Sequence, residues 1–585
     1  MKLFLDMFWY FKQEKWRYIF GIILLMCSSL MSMVPPYVVG IIVDAIRTHT
    51  LTSAALIKWM SLLVASGLAA YGFGYGWRMY IFGSSMHLAK LLRDRLYKHF
   101  TTMTAGFFGR RRIGDLMAHA TNDIRAVQEA AGDGILMLVD SLTMGAMVIV
   151  SMSVIIDWRL TIIALLPMPI MAWAVNYYGS LLHKNFHKAQ AAFSELNDRV
   201  QENISGVRVI KAFGQEDAEK ENFRQQSEDV VNKNIKVAKI DALFDPTITF
   251  IVGLSYFLTL LFGAIFVVHH SITIGELTSF TLYLGQLVWP MLAFGILFNI
   301  VERGRASYDR IQALLKIKPE ITDQPEALEA IPTGDVHYAI HTFSYGESNA
   351  SVLEAIDFTI KQGETIGIVG KTGSGKSTLI KLLLREMDCH DGDILIGGTS
   401  IYRYTMHSLR SAIGYVPQDH FLFSASVAEN IAFAKPEASR EEIIRAARLA
   451  HIHEDILNFK EGYETVVGER GVTMSGGQKQ RISIARALLM NPEILILDDS
   501  LSAVDARTEE AILHSLRHNR ENKTTFITAH RLSAIQHADL IIVLEDGKIV
   551  ERGTHATLMT DDKWYATMYR RQQLESFVAQ GGMSS

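Results

Sequence analysis

Six long apolar runs occupy the first 300 residues, near 18–43, 55–82, 134–156, 160–179, 247–269 and 275–300. A helix needs about 20 residues to cross the hydrocarbon core of a bilayer, and each run is of that order. Any one of them alone could be a buried core helix. Six in one half-chain predict a polytopic α-helical membrane domain with six transmembrane helices. The rest of the 585-residue chain reads as an α/β protein, so two or more domains are expected.

Loop charge predicts the orientation. Lys90, Arg93, Arg95, Lys98, Arg110, Arg111, Arg112 and Arg125 lie between runs two and three, and the loop between runs four and five is also basic. The short loops carry only Arg47 in the first and Arg159 in "DWRL", with no Lys or Arg in "HHSITIG". Basic loops stay cytoplasmic, so the long loops, the N-terminus (Lys2, Lys12, Lys15, Arg17) and the C-terminal half are all expected on that side of the cytoplasmic membrane. No short apolar core with a small-residue cleavage site opens the chain, so no cleaved signal peptide is expected. The long loops hold "SSMHLAKLLRDRLYKHFTTM" and "AAFSELNDRVQENISGVRVIKAF", with apolar residues at helical spacing. They read as cytoplasmic extensions of spans 2 to 5, projecting roughly 30 Å. Turns are expected at their tips, around "GRRRIGDLM" and within "RVIKAFGQED".

Asp140 in "ILMLVDSLTMG" is an acid at membrane depth. Such groups face a bundle interior or a wet cavity, so Asp140 is a candidate substrate contact, with an interhelical hydrogen bond as the alternative. Pro35, Pro36, Pro167, Pro169 and Pro290 are candidate kinks. Cys27 sits in an apolar run and Cys389 in the soluble part, which offers neither a disulfide nor metal-ligand spacing. A net charge of −4 gives no argument for nucleic-acid binding.

In the second half, the strand "TIGIVG" (365–370) runs into "KTGSGKST" and then the apolar helix "LIKLLLREM". Gly370, Lys371, Thr372, Gly373, Ser374, Gly375, Lys376 and Ser377 match G-x-x-x-x-G-K-[ST] in full, with Thr378 following. Backbone N–H groups of such a loop wrap phosphates, the Lys reaches the β- and γ-phosphates, and the Ser binds Mg²⁺. Downstream, "ILILDDSLSAVDARTEE" (494–510) is a buried-strand pattern ending on Asp498 and Asp499. Asp498 is placed to hold Mg²⁺ through its hydration shell. Asp505 suits a helix N-cap, with Glu509 and Glu510 in the first turn.

The stretch between these motifs narrows the class. "VTMSGGQKQRISIARALL" places Ser475, Gly476, Gly477 and Gln478 at the start of a helix. This resembles the signature motif of ATP-binding cassette (ABC) proteins. The resemblance implies further roles. Tyr345 in "FSYGE" stacks on adenine, and Gln418 in "YVPQDHFLF" is the Q-loop residue beside Mg²⁺. "TVVGERG" (465–471) contacts transmembrane helices, "SAVD" ending at Asp505 is the D-loop, and His530 in "ITAHRLS" is the switch histidine. "FFGRRRIGDLMAHATNDI" and "NISGVRVIKAFGQE" look like the two cytoplasmic loops of ABC exporters. "NDRVQENISGVRVIKAFGQE" and "LDDSLSAVDA" resemble BmrC-type subunits of bacterial heterodimeric multidrug exporters. The resemblance implies a transmembrane domain at 1–320, a nucleotide-binding domain at 335–575 and a tail at 576–585.

In that family a signature loop completes the ATP site of the opposite subunit. A chain with six spans and one cassette then looks like a half-transporter that needs a second half. Asp499 stands where hydrolytic cassettes carry a glutamate that polarises the attacking water. Aspartate retracts the carboxylate by roughly 1.5 Å, and about 1 Å of misplacement can cost ~10²-fold in rate. The site on this chain's own Walker motifs is therefore expected to bind ATP and hydrolyse it slowly. Ser475, Gly476, Gly477, Gln478 and Asp505 would serve a competent partner in trans. The expected function is ATP-driven export of amphipathic compounds, multiple drugs by resemblance, by a heterodimer in contact with membrane lipid. The alternatives are a homodimeric lipid or peptide exporter, without a cysteine-protease domain before the first span, and a non-transporting membrane sensor.

Overall fold

A computed structural model describes residues 2–345, 350–468 and 474–581. Gly346 and Glu347 of "FSYGE", residues 469–471 of "TVVGERG" and residues 582–585 of the expected tail lie outside the described residues. The chain divides into two compact units, one of Met1–Thr102 with Arg111–Lys318, the other of Met103–Arg110 with Pro319–Ser585.

In the first unit, five described helical stretches are long and apolar enough to cross a membrane: Lys15–Arg47, Ser53–Thr102, Ile113–Leu165, Glu216–Val268 and Ile274–Leu315. The expected span at 160–179 is not one continuous helix. The chain turns at Asp157 (φ −157°, ψ 126°), whose carboxylate accepts the N–H of Arg159 at 2.7 Å and of Leu160 at 3.0 Å. A helix then covers Trp158–Leu165, and another, Met168–Ser205, begins behind Pro167. Proline has no N–H to continue the ladder, so the apolar run is split between two helices. The third stretch also carries π-helical turns at His119–Asp123, Ala130–Gly134 and Ser151–Asp157.

The cytoplasmic extensions form as expected, within helices of 50, 38 and 53 residues. Their tips differ in detail. Each holds a short helix, Ala105–Gly109 and Val207–Ala212. The first reversal includes residues 110–112, inside "GRRRIGDLM", and Ile113 begins the next helix behind an extended Arg112 (ψ 130°). The second closes at Gly214, whose φ of +63° is a left-handed conformation that favours glycine.

Pro35 and Pro36 mark a real break. Lys15–Ser32 ends at Met33, and Val34–Arg47 restarts with these prolines in its first turn. Proline 36 cannot donate to the carbonyl four residues back, that of Ser32. The helix Ile274–Leu315 supplies a donor for it and two more for neighbouring carbonyls. Gln286 Nε2 donates to Ser32 O at 3.0 Å, Tyr283 O–H to Met33 O at 2.8 Å and Ser279 O–H to Pro36 O at 2.8 Å. Positions 279, 283 and 286 share one helical face. At the end of this seam, Asp44 accepts from Gly275 N at 2.8 Å and from the Thr273 hydroxyl at 2.5 Å. A Cβ on Gly275 would collide with the Gly40 carbonyl, so the two backbones meet only because Gly275 has none. Pro290, by contrast, lies inside Ile274–Leu315 without ending it.

The second unit is built on two sheets. The strands β1 (Val336–Phe343), β2 (Leu353–Ile360), β3 (Thr365–Gly370), β4 (Asp391–Ile396), β5 (Thr399–Ser400), β6 (Ile413–Val416), β7 (Ile494–Asp498), β8 (Thr524–Thr528), β9 (Leu540–Glu545) and β10 (Lys548–Gly553) follow in chain order. The antiparallel sheet runs β2-β1-β4-β5, and the larger sheet β10-β9-β3-β8-β7-β6. In the latter, β6, β7, β8, β3 and β9 are parallel neighbours. All five residues of β7 and of β8 are buried, as parallel strands covered on both faces must be. Alternate residues of β7 enter two apolar clusters, Leu495 and Leu497 in one, Ile494 and Ile496 in the other. This puts the ends of β3, β7 and β8 side by side at one sheet edge, where ligands of open α/β sheets bind.

Candidate nucleotide site

The loop after β3 is forced into shape by its glycines. Gly373 and Gly375 take φ +86° and +102°, which L-side chains rarely adopt. Gly375 then leads into the helix Lys376–Leu383 with no side-chain cap. The first N–H groups of that helix are thus left for an anion, supported by the helix dipole. Lys376 is 9 % exposed. Its ammonium folds back to donate to the carbonyls of Gly370 (2.8 Å) and Lys371 (2.9 Å). Burial lowers the pKa of this amine, and the charges of Asp499 and Asp498 oppose that effect. Ser374 Oγ is buried in the same loop without a hydrogen-bond partner. Lys371 turns outward to Glu545 at 2.6 Å.

Tyr345 lies 41 % exposed, its ring edge-on to Phe343 with centroids 5.3 Å apart. Its hydroxyl meets Thr378 Oγ1 at 2.9 Å, which ties the aromatic to the helix that follows the glycine loop. Ser377, on the same helix, is half-buried.

The two aspartates at the end of β7 have different surroundings. Asp498 is 5 % exposed. Its Oδ1 accepts from the Thr528 hydroxyl at 2.6 Å and its Oδ2 from the Tyr415 hydroxyl at 3.4 Å. Burial, with the Asp498 charge added, pushes the Tyr415 phenol up, so it stays a donor. Asp499 has φ +46°, a left-handed backbone that Asp tolerates better than most residues. Its N–H donates to Thr528 O at 3.1 Å and Thr528 Oγ1 at 2.9 Å. Its Oδ2 lies 3.5 Å from Gln418 Nε2 and 3.9 Å from His530 Nε2. Three residues singled out from separate motifs thus meet around one carboxylate.

Ser475 caps the helix Gly476–Leu489 reciprocally with Gln478. The Ser475 hydroxyl accepts from Gln478 N at 3.3 Å, and Gln478 Oε1 accepts from Ser475 N at 3.1 Å. Gly477 lies close under Ala503 O, where a Cβ would sit 3.1 Å away. The buried Gln480 accepts from Ala503 N at 3.2 Å, binding the 502–505 turn to the signature helix. Asp505 caps Ala506–Asn519, accepting from Thr508 N at 3.0 Å and from its hydroxyl at 2.8 Å. Glu509 in that first turn is buried and pairs with Arg531 at 3.3 Å. Among the described residues, no hydrogen bond or ion pair joins Ser475–Gln478 to the glycine loop of the same chain.

Asp140 is half-buried in Ile135–Val150, and no described hydrogen bond or ion pair reaches it. The sequence reading missed Thr528, which serves both aspartates, and Gln480. Thr528 ends a β-rich strand two residues before His530, and only strand pairing shows that it abuts β7.

An anion-binding loop, an uncapped helix start, a buried ammonium and an orphaned Ser374 hydroxyl fit a nucleoside triphosphate. Ser377, Gln418 and Asp498 supply hydroxyl, amide and carboxylate oxygens of the kind Mg²⁺ prefers.

Comparison with known proteins agrees with this geometry. Residues 18–291 match the family model described as ABC transporter transmembrane region, and residues 353–502 the one described as ABC transporter. The chain is 48% identical over 576 residues to "Multidrug resistance-like ATP-binding protein MdlA" of Escherichia coli (strain K12), covering 98% of each. It is 46% identical over 574 residues to "Probable multidrug resistance ABC transporter ATP-binding/permease protein YheI" of Bacillus subtilis (strain 168), again 98% of each. Among solved structures, "Structure of a bacterial Atm1-family ABC exporter with ATP bound" matches with a TM-score of 0.77 and 27% identity, over 95% of this chain and 99% of that one.

Proposed function

The chain belongs to the ABC exporters, and from that premise we propose that it is one half of an ATP-driven pump for amphipathic compounds, whose own ATP site is the slower of two. It spans the membrane through its helical unit and carries a cassette that couples ATP hydrolysis to export. The multidrug reading is supported by the names of the two relatives at 48% and 46% identity. The membrane domain spans 1–320, the nucleotide-binding domain 335–575 and the tail 576–585.

The residues act as follows. Lys376 leaves the carbonyls of Gly370 and Lys371 for the phosphates of ATP, a stronger, charge-assisted partner. Tyr345 offers its exposed ring to the adenine. Ser377, Gln418 and Asp498 would hold Mg²⁺, which would supply positive charge to neutralise the phosphates. Thr528 and Tyr415 keep Asp498 aimed from behind. Asp499 stands in the water-orienting position, between Gln418 and His530. Phosphoryl transfer depends on positioning and electrostatics, so the shorter carboxylate slows this site. Ser475–Gln478 and Asp505 complete the site of the other half.

The observation that carries this reading is Asp499 itself, with an otherwise full nucleotide motif set around it. Purified chain alone, and chain co-expressed with the product of an adjacent half-transporter gene, are compared for ATPase activity and for dye uptake into inverted vesicles. Slow turnover alone and fast, dye-transporting turnover in the pair are expected. Full turnover by the lone chain sinks the slow-site reading. That result would favour a homodimer, which the gathering of Gln418, Asp499 and His530 in this chain also supports, since two copies would hold two such sites. ATP hydrolysis without dye movement would favour a sensor.

A further inference from the structure

His530 is held by its backbone, and the group that holds it lies 42 residues away in the C-terminal helix. The segment after β8 runs through His530 and Arg531 into a short 3₁₀ turn, Leu532–Ile535. No side chain of the segment caps this turn from within, because Arg531 at the N-cap makes no capping bond. The amide of Gln572 does so from outside. Its Oε1 accepts the N–H of Leu532 at 2.9 Å, and its Nε2 donates to the carbonyl of His530 at 2.8 Å. One planar amide therefore grips the chain on both sides of Arg531. The Arg531 side chain pins the opposite face, to Glu509 at 3.3 Å and Val504 O at 3.4 Å.

The helix that carries Gln572, Trp564–Gly581, is itself fixed. Glu551, buried on β10, accepts from Trp564 N at 2.8 Å at its start. Tyr565 is fully buried, and the Tyr569 hydroxyl donates to Gln536 Oε1 at 2.9 Å. Residues 565, 569 and 572 recur at helical spacing, so one face of this helix meets the cassette core and the switch segment together. The imidazole of His530 is half-exposed, with Nε2 3.9 Å from Asp499. Among the described residues no side chain is within hydrogen-bond distance of the imidazole, Asp499 being the pair at 3.9 Å, so its position follows its backbone.

We infer that Gln572 is a positioning residue for the ATP site, placing the His530 imidazole for the γ-phosphate through a two-point grip on the switch backbone. The inference rests on the reading of His530 as a γ-phosphate contact. It makes a prediction a general stabilising role does not make. Loss of Gln572 should cost affinity for ATP and spare ADP, which has no γ-phosphate.

The test uses the assembled transporter as it forms in cells. This chain, resolved by mass, is labelled with 8-azido-ATP, and unlabelled ATP or ADP competes. His530→Ala narrows the preference for ATP over ADP. Gln572→Leu, which removes both bonds of the grip, narrows it by about 3- to 10-fold, the factor that loss of the one hydrogen bond from the imidazole to the γ-phosphate corresponds to. Gln572→Glu, which keeps the acceptor for Leu532 and loses the donor for His530, falls between wild type and Gln572→Leu; it also serves if the Leu variant fails to fold. The double variant His530→Ala/Gln572→Leu matches His530→Ala alone. Should His530→Ala narrow the preference while both Gln572 variants leave it intact, the inference is overturned. Equal weakening of ATP and ADP, or effects that multiply in the double variant, overturns it too. If His530→Ala leaves the preference unchanged, the γ-phosphate reading falls and takes the inference with it.

Discussion

The seam between Ser32–Pro36 and the helix Ile274–Leu315 treats orphan polar groups in one way, and the edge of the large sheet treats them in the opposite way. In the seam, proline leaves the Ser32 carbonyl without its helical donor; Gln286 supplies one, and Tyr283 and Ser279 bond the neighbouring carbonyls of Met33 and Pro36 within the chain. At the sheet edge, Ser374 Oγ has no partner, Lys376 sits on loop carbonyls, and Asp499 is approached no closer than 3.5 Å by Gln418. Both regions contain glycines, positive-φ or broken backbone, and buried polar atoms. What separates them is closure. Groups matched by the protein itself hold structure, and groups left half-matched are kept for a ligand, the buried Gln286 Oε1 of the seam being an exception.

The comparison is broken most severely at Lys376. Lys376→Ala removes the charge that the phosphates need and takes one donor each from the buried carbonyl of Gly370 and from that of Lys371. ATP affinity at this chain's own site, read by photolabelling with 8-azido-ATP, is expected to fall by roughly 10- to 10²-fold, with a loss of stability of no more than about 1–3 kcal/mol. A large loss of stability would mean that Lys376 closes the loop rather than awaiting ATP. Asp499→Glu sharpens the same side. Reach is restored, and hydrolysis at this site is expected to rise by about 10-fold, less than the ~10² that 1 Å can cover, because Glu fits a left-handed backbone less well than Asp. Single-turnover hydrolysis assigned to this chain measures it; an unchanged rate removes the argument from reach.

Gln286→Ala attacks the seam. It leaves the Ser32 carbonyl unpaired and is expected to cost about 1–3 kcal/mol of stability. Nucleotide binding to the cassette is expected to stay at wild-type affinity, and a changed affinity would deny that the two regions are separable. Asp140 is the smallest and most pointed case. It is a membrane-depth acid that no described bond closes, so by the rule just drawn it is kept for something that visits. Asp140→Asn should leave melting within about 0.5 kcal/mol of wild type while altering which dyes are transported. Unaltered dye selectivity would leave Asp140 outside the rule.

Much of this was legible in the chain. The glycine loop, the strand-end aspartates and the capping serine announced themselves because each motif is short and its geometry local. Lys376, Asp498 and Ser475 stand in the structure where the strand–loop–helix pattern placed them. The failures are tertiary or positional. Apolarity marks how much chain lipid can accept but not how it is divided, so the run at 160–179 reads as one span although Pro167, a candidate kink, separates two helices. Gly and Arg in "GRRRIGDLM" place a turn, and only its end, just before Ile113, needs the structure. Thr528 and Gln572 act on residues 30 and 42 positions away, and no periodicity links them to what they hold.

The seam has a consequence for how the two helices can part. Three side-chain donors meet three carbonyls there, and the Ser32 carbonyl has no helical N–H to fall back on. Drawing the helices apart would uncover the three donors and that carbonyl at once, and a dry gap could not accommodate them. Separation must therefore keep step with wetting. Water, or a polar part of whatever is being carried, has to enter as the helices leave. This edge of the bundle behaves as a hydration-gated joint, sensitive to water activity in a way that an edge zipped by leucines would not be.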